Sequence, residues 1–324
     1  MKTNDSDHCA SSRLVRAGSL LAAASIAAFA GAAAASPTLE VLDSMAIPVE
    51  GANGTRIEEF SGLSWDEDER LLYAVSDGGG LHHFQVRLDG DSIAGIVPVF
   101  STPLAMAAEG GSGKPISNAE GITTMNDDNG EPSDSEILIA FEDGPAVGRF
   151  TPQGEWIANL ALPGPLGDKE RYSKKNSRIE AVAFDREHGM LTAPERPLEG
   201  EPDEFHTIYA ADGTTWSFEA FQPDSRLKAI QNLPDGNLLI LERTRVDKGA
   251  ESTARLRYLD FGGCSAQGAC RLIDLSAAPD PMLVDNFEGL ARLSEDLFLI
   301  VTDKTTKDAE PTTFVLFRVT AAAR

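Results

Sequence analysis

The sequence predicts an all-β protein, a β-propeller of five four-stranded blades, with six blades as the alternative count. Three observations lead there. A pattern of about sixty residues recurs, each copy breaks into short β-type runs bounded by turn residues, and no segment carries a convincing helical period.

Each copy opens on a charged residue, continues through an apolar run, a polar turn and a second apolar run, and closes on a carboxylate. The copies run Glu59 to Asp77, Glu120 to Glu142, Glu180 to Glu195, Lys228 to Glu242 and Glu288 to Asp303. Lys228 stands where the others open with Glu. Two further strand-like runs follow each of the first four copies. After Asp77 they flank Asp89-Gly90-Asp91, after Glu142 they flank Thr151–Gly154, and after Glu195 they flank Ala211-Asp212-Gly213. After Glu242 the runs ARLRYLDF and CRLIDLS are divided by a loop that ends in cysteine. The last copy supplies only three strands, ending in TTFVLFRV. The N-terminal run TLEVLDSMAIPV is left over to complete that blade and close the ring.

Residues 1–35 read as an export signal. Lys2, Arg13 and Arg16 precede an Ala-rich apolar run from Ala17 that ends in Ala33-Ala34-Ala35, a small-residue cleavage site. A membrane anchor is the competing reading, disfavoured by the Ala-rich composition. The expected domain is therefore 36–324, periplasmic or secreted, with no membrane contact after signal removal. Cys9 leaves with the signal, so Cys264 and Cys270 remain as a disulfide pair suited to an oxidising compartment.

The full chain carries a net charge of −23. That argues against binding through nucleic-acid phosphates, which requires cationic surfaces, and leaves room for divalent cations. A closed propeller hides its own sheet edges, so a monomer is expected.

In an up-and-down blade the first strand lines the central channel. It starts at the face where the second strand ends, and the long connections gather there. This register brings Asp77, Glu120, Glu142, Glu180, Glu195, Glu242, Glu288 and Asp303 to one channel mouth, with Glu59 as a further candidate. Arg178, Arg196, Lys228, Arg243 and Lys304 are interleaved. So many carboxylates together need cations to neutralise them. An oxygen-rich set of this kind suits Ca²⁺ first and Mg²⁺ second. The expected metal ligands are Asp77, Glu120, Glu142, Glu242, Glu288 and Asp303. The expected catalytic groups are Glu180 and Glu195, as general base, with Arg196, Arg243 and Lys304 steadying an oxyanion. The plainer alternative is that these carboxylates accept backbone N–H bonds and brace neighbouring blades.

Other chemistries find little support. Gly110-Gly111-Ser112-Gly113-Lys114 lacks the last glycine of a nucleophile elbow, and no zinc-protease, Walker or dinucleotide fingerprint occurs. His82-His83 falls in a third strand and reads as structural. Asp127–Glu131 has the wrong spacing for a calcium loop and reads as an acidic turn. Trp65, Trp156 and Trp216 read as packing.

Several segments stand out: SGLSWD (61–66) with LYAVSDGG (72–79), NAEGIT (118–123) with IAFEDGPAVGRF (139–150), and IEAVAFD (179–185) with APERPL (193–198). LLILERT (238–244) and VDNFEGLA (284–291) with LIVTD (299–303) complete the series. Together they resemble the phytase-like family, also called "esterase-like activity of phytase". The resemblance implies an exported propeller that hydrolyses a small phosphate or carboxylic ester. Lys304-Thr305 follow Asp303 where the family tends to carry Asn, so a ligand position is missing there. A non-catalytic ligand- or protein-binding propeller and a lactonase-like hydrolase are the alternative functions.

Overall fold

Each repeat folds as a four-stranded antiparallel blade, and five blades close the ring. The computed structural model describes residues 36–51, 54–106, 114–143, 146–174, 177–245, 252–278, 280–305 and 311–320. The export segment read at 1–35 and Gly110–Gly113 lie outside them.

Blade 1 runs Phe60–Asp66, Leu71–Ser76, Gly80–Asp89 and Ser92–Pro103. Blade 2 runs Ala119–Met125, Glu136–Phe141, Ala146–Phe150 and Trp156–Leu160. Blade 3 runs Ile179–Asp185, Gly189–Pro194, Phe205–Ala210 and Thr215–Glu219. Blade 4 runs Arg226–Asn232, Leu238–Arg245, Ser252–Leu259 and Leu272–Asp274. Blade 5 combines Phe287–Arg292, Leu297–Thr302 and Thr313–Thr320 with the N-terminal strand Thr38–Ala46. That last strand pairs antiparallel with Thr313–Thr320, so the chain's two ends share one sheet and lock the ring, as the strand count predicts.

The blades are held by apolar layers between neighbours. Phe60, Leu63 and Leu72 of blade 1 meet Ala291, Leu299 and Phe314 of blade 5. Ala181 and Leu191 of blade 3 meet Leu227 and Ile240 of blade 4. One such cluster fills each of the five interfaces. Burying a Leu or Phe side chain of this kind contributes about 1.5–3 kcal/mol, so the ring is a continuous core wrapped around an axis. Trp216 is buried in one cluster, while Trp65 and Trp156 pack half-buried against others. His82 and His83 are buried, bonded to Ser101 Oγ at 2.9 Å and to the Pro152 carbonyl at 2.7 Å.

The axis is nearly shut. Gly62, Gly121, Ala181, Ala229 and Gly289 stand at matching places on the inner strands, and their small size lets neighbouring backbones touch. A Cβ on Gly62 would lie 2.8 Å from the Glu120 carbonyl oxygen, and one on Gly121 would lie 2.5 Å from that of Glu180. The hollow left at this level is about 10 Å³. The two mouths of the channel are therefore separate places.

The cysteine region departs from the sequence reading. Ala269–Cys270 pairs in parallel with Thr215–Glu219 as a fifth strand on blade 3, and the outer strand of blade 4 begins only at Leu272. Cys264 and Cys270 are disulfide-bonded as expected. No helix among the described residues is long and apolar enough to cross a membrane.

Candidate functional site: a charged channel mouth

The inner strand of each blade carries a one-residue bulge just before its small residue. The pairing slips between Phe60 and Gly62, Ala119 and Ile122, Ile179 and Ala181, Leu227 and Ala229, and Phe287 and Gly289. A bulge re-aims its side chain and bends the strand. The bulged residues are Ser61, Glu120, Glu180, Lys228 and Glu288, and they form the inner ring of the mouth.

The second strands supply an outer ring. Ser76, Phe141, Pro194, Glu242 and Thr302 pair with the residue before each bulge. The residues that follow are Asp77, Glu142, Glu195, Arg243 and Asp303. Two assignments read from the sequence move by this register. Ser61, rather than Glu59, holds the blade-1 place in the inner ring. In blade 4 the outer place belongs to Arg243, not Glu242.

Glu242 points elsewhere. Its buried carboxylate takes a charge-assisted hydrogen bond from Arg257 and a 2.9 Å bond from the Phe221 backbone N–H, with His206 Nε2 at 3.8 Å. It braces blades 3 and 4. Lys304 likewise turns to Asp285, at 2.7 Å.

Blade 4 therefore sets two cations, Lys228 and Arg243, into a ring that is otherwise carboxylates and one serine. Lys228 is buried and bonds Glu180, with Glu195 at 3.0 Å and Glu288 at 3.3 Å. Arg243 bonds Glu288 and the Asn286 side-chain oxygen, and lies 3.7 Å from Glu195. Arg226 reaches Glu195 at 3.0 Å, and Arg196 stands 3.9 Å from it. Those cations, with hydrogen bonds from Ser177 and Lys228, outweigh burial and hold the Glu195 carboxyl down at about 2. The surrounding carboxylates hold Lys228 charged, against its burial.

The other side of the mouth lacks such compensation. Glu120 is buried, and its carboxylate makes no hydrogen bond or ion pair among the described residues. Burial, then the neighbouring Glu180 and Asp77, push it well above the usual carboxylate range. Asp77 accepts a hydrogen bond from Ser61, yet burial and Glu288 raise it to about 6. Asp303 accepts from Asn286 Nδ2 at 2.9 Å, and burial with Glu288 and Asp77 raises it to about 8. Glu142 is raised by burial to about 7, although the Arg178 backbone N–H donates to it at 2.9 Å. Glu120, Glu180 and Glu288 bring one carboxylate oxygen each to within 4.8 Å of one another.

Of the residues singled out in the sequence, Asp77, Glu120, Glu142, Glu180, Glu195, Arg243, Glu288 and Asp303 meet at this mouth, with Arg196 at its edge. Glu242 does not join them, and Lys304 pairs with Asp285. The sequence reading did not single out Ser61, Arg226 or Asn286. Their signal was present as equivalent offsets from the bulge, but the bulge is invisible without the ladder.

The fold and the mouth define a class, a five-bladed propeller with a carboxylate-rich, partly neutralised channel entrance. The chain belongs to the family described as "Phytase-like: Esterase-like activity of phytase", whose model matches residues 55–319. No curated protein matches it. Similar solved structures include the PQQ-bound aldose sugar dehydrogenase of Streptomyces coelicolor. It is 12% identical with a TM-score of 0.46, over 89% of this chain and 100% of that one. Another is a chain of the mitotic checkpoint complex, 14% identical with a TM-score of 0.37, over 82% of this chain and 63% of that one.

Proposed function

We propose that the protein is an exported, cation-assisted hydrolase of small phosphate or carboxylic esters, working at the charged mouth. The observation that carries this reading is the split of the mouth into an uncompensated acidic arc and a cationic arc. Carboxylates raised by burial and then by mutual repulsion are what a hard divalent cation relieves, so the residues fit Ca²⁺. Asp77, Glu120 and Asp303 would hold it, with oxygens of Glu180 and Glu288 that Lys228 leaves over. When bound, the ion would supply a Lewis acid for a substrate oxygen.

The chain's own groups would do the rest. Arg243, Arg226 and Arg196 form the cationic arc and would orient an anionic group of the substrate. Glu195, held at about 2 by its cations, is too weak a base to take a proton near neutrality. Glu142 is better matched, since it sits in the outer ring, keeps one backbone donor and titrates at about 7. We assign it, in place of Glu180 or Glu195, as the base that takes a proton from water.

Lys228 favours a second reading, a propeller that binds a ligand at this mouth without turning it over. Its ammonium already occupies the centre of Glu180, Glu195 and Glu288. The deciding experiment is hydrolysis of phytate, an aryl phosphate, a short-chain aryl ester and a lactone by the purified protein, with Ca²⁺ and with chelator. Turnover that needs Ca²⁺ supports the hydrolase, and the responding substrate sets its class. Folded protein inactive on all four leaves the binding reading.

A further inference from the structure

The opposite mouth of the channel holds the larger hollows. One of about 320 Å³ is joined, through shared walls, to an open one of about 1190 Å³. The hollow beside the charged rings, near Glu59 and His82, measures about 240 Å³. The packed glycine level separates the two mouths, so neither can be an annexe of the other.

The smaller of the two joined hollows is built from blades 1, 2, 4 and 5. Ser64, Thr123 and Gln231 supply neutral donors and acceptors, Trp65 supplies a half-exposed aromatic wall, and Asp127 and Arg292 supply charge. The Arg292 guanidinium makes no hydrogen bond or ion pair with any described residue. Its electrostatic partner is Asp127, whose carboxylate accepts, among the described residues, a hydrogen bond from its own backbone N–H. The two form no ion pair, yet both line the same hollow.

Asp127 belongs to the acidic turn that read as a plain loop in the sequence. Here that turn is a fixed wall. The Asp127 carbonyl accepts from the Glu67 N–H at 2.9 Å and the Asp68 N–H at 3.1 Å. The Asp68 carboxylate accepts from the Asn129 and Gly130 N–H groups, and Glu69 accepts from the Ser133 N–H at 2.6 Å. A pre-formed wall lowers the ordering cost of binding.

A ligand filling this gap must accept from the Arg292 guanidinium and donate to the Asp127 carboxylate at once. A hydroxyl-bearing molecule does both, and its C–H face suits the indole of Trp65. Glu67, Asp128 and Glu295 surround the opening and outnumber its single arginine, which excludes an anion. We infer that this mouth is a binding site for a neutral polyol or sugar, distinct from the charged mouth and independent of its chemistry.

The test is calorimetric titration of the purified protein with glucose, maltose and myo-inositol, with glycine and lysine as charged controls. Trp65 fluorescence is followed in parallel. The inference expects saturable binding of at least one neutral polyol, unchanged by chelator. It expects tenfold or more weakening in both Arg292→Met and Asp127→Asn, and loss of the fluorescence response in Trp65→Phe. Thermal melts of each variant separate lost binding from lost fold. Two results would overturn it: no saturable polyol binding by folded protein, or affinity unchanged in both variants. Binding of glycine or lysine alone would also overturn it, by replacing the polyol with a charged ligand.

Discussion

Replacing Lys228 with methionine tests the charge arrangement at the mouth most sharply. Methionine matches the length of the stem and removes only the ammonium. Glu195 keeps Arg226 and Glu288 keeps Arg243, so the carboxylate left alone is Glu180, which is buried and bonded to Lys228. Removing one partner from a buried pair costs about 3–5 kcal/mol. For a domain of this size that lowers Tm by roughly 5–8 °C, since the entropy of unfolding scales with length. The pH dependence follows from the sign of the shifts. In the parent, Lys228 is raised, so its contribution is present below its ordinary range and is lost only at strongly alkaline pH. Burial already raises Glu180 well above the usual carboxylate range beside Lys228, and without the ammonium it rises further, so the folded variant holds a proton that the unfolded chain releases and stability recovers as pH falls from 8 to 5. Calcium should recover it as well, by taking the ammonium's place. Urea unfolding at pH 8 and pH 5, with Ca²⁺ and with chelator, reads all of this. A loss below 1 kcal/mol at pH 8, unaffected by acid or Ca²⁺, would refute the reasoning.

Four further predictions follow the same physics. Asp77, Glu142 and Asp303 are raised to about 6, 7 and 8, so the folded state holds their protons more tightly and metal-free stability falls as pH rises through that range. Melting curves from pH 5 to 9 should show the fall, and Ca²⁺ should flatten it. Glu242→Gln should destabilise by about 2–4 kcal/mol, because Arg257 loses its buried counter-ion, yet leave the Ca²⁺ affinity of the folded fraction unchanged. Gly121→Ala should cost about 1–3 kcal/mol or more, measured by urea unfolding, because its Cβ would lie 2.5 Å from a backbone oxygen that has nowhere to move. The Cys264–Cys270 bridge closes only a small loop in the unfolded chain, so reducing it should cost about 2 kcal/mol by the same assay.

The ring was legible because one period of about sixty residues organised its blades, and because the strand left at the N-terminus matched the strand missing at the end. The mouth was legible only to within one or two residues. Each inner strand is bulged, and the bulge shifts the facing side chain by one place without changing the spacing between copies. In blade 4 the sequence offers Glu242 and Arg243 side by side, both charged, and the pattern of copies that close on a carboxylate favours the glutamate, although the step of 15 residues from Glu180 to Glu195 and from Glu288 to Asp303 lands on the arginine. The ladder favours the arginine. In blade 1 the inner place moves two positions, from Glu59 to Ser61. Lys228 stood out as the exception to the repeat, but its role needed distances, since only they show one ammonium shared among three carboxylates. The hollow around Arg292 and Asp127 left no trace in the repeat, because a turn of blade 2 leaning on blade 1 forms its wall. Cys270 was read as part of an outer strand of blade 4. Instead, its pairing with Phe218 draws it to blade 3.

The most direct test of the central claim compares the parent protein and Glu120→Gln on the responding ester, each with Ca²⁺ and with chelator. Among the described residues the buried Glu120 carboxylate has no hydrogen-bond or ion-pair partner, so the variant should fold with undiminished stability in chelator. It should also bind Ca²⁺ at least tenfold more weakly and lose its Ca²⁺-dependent turnover. Equal turnover in parent and variant, or turnover indifferent to chelator, would contradict the account.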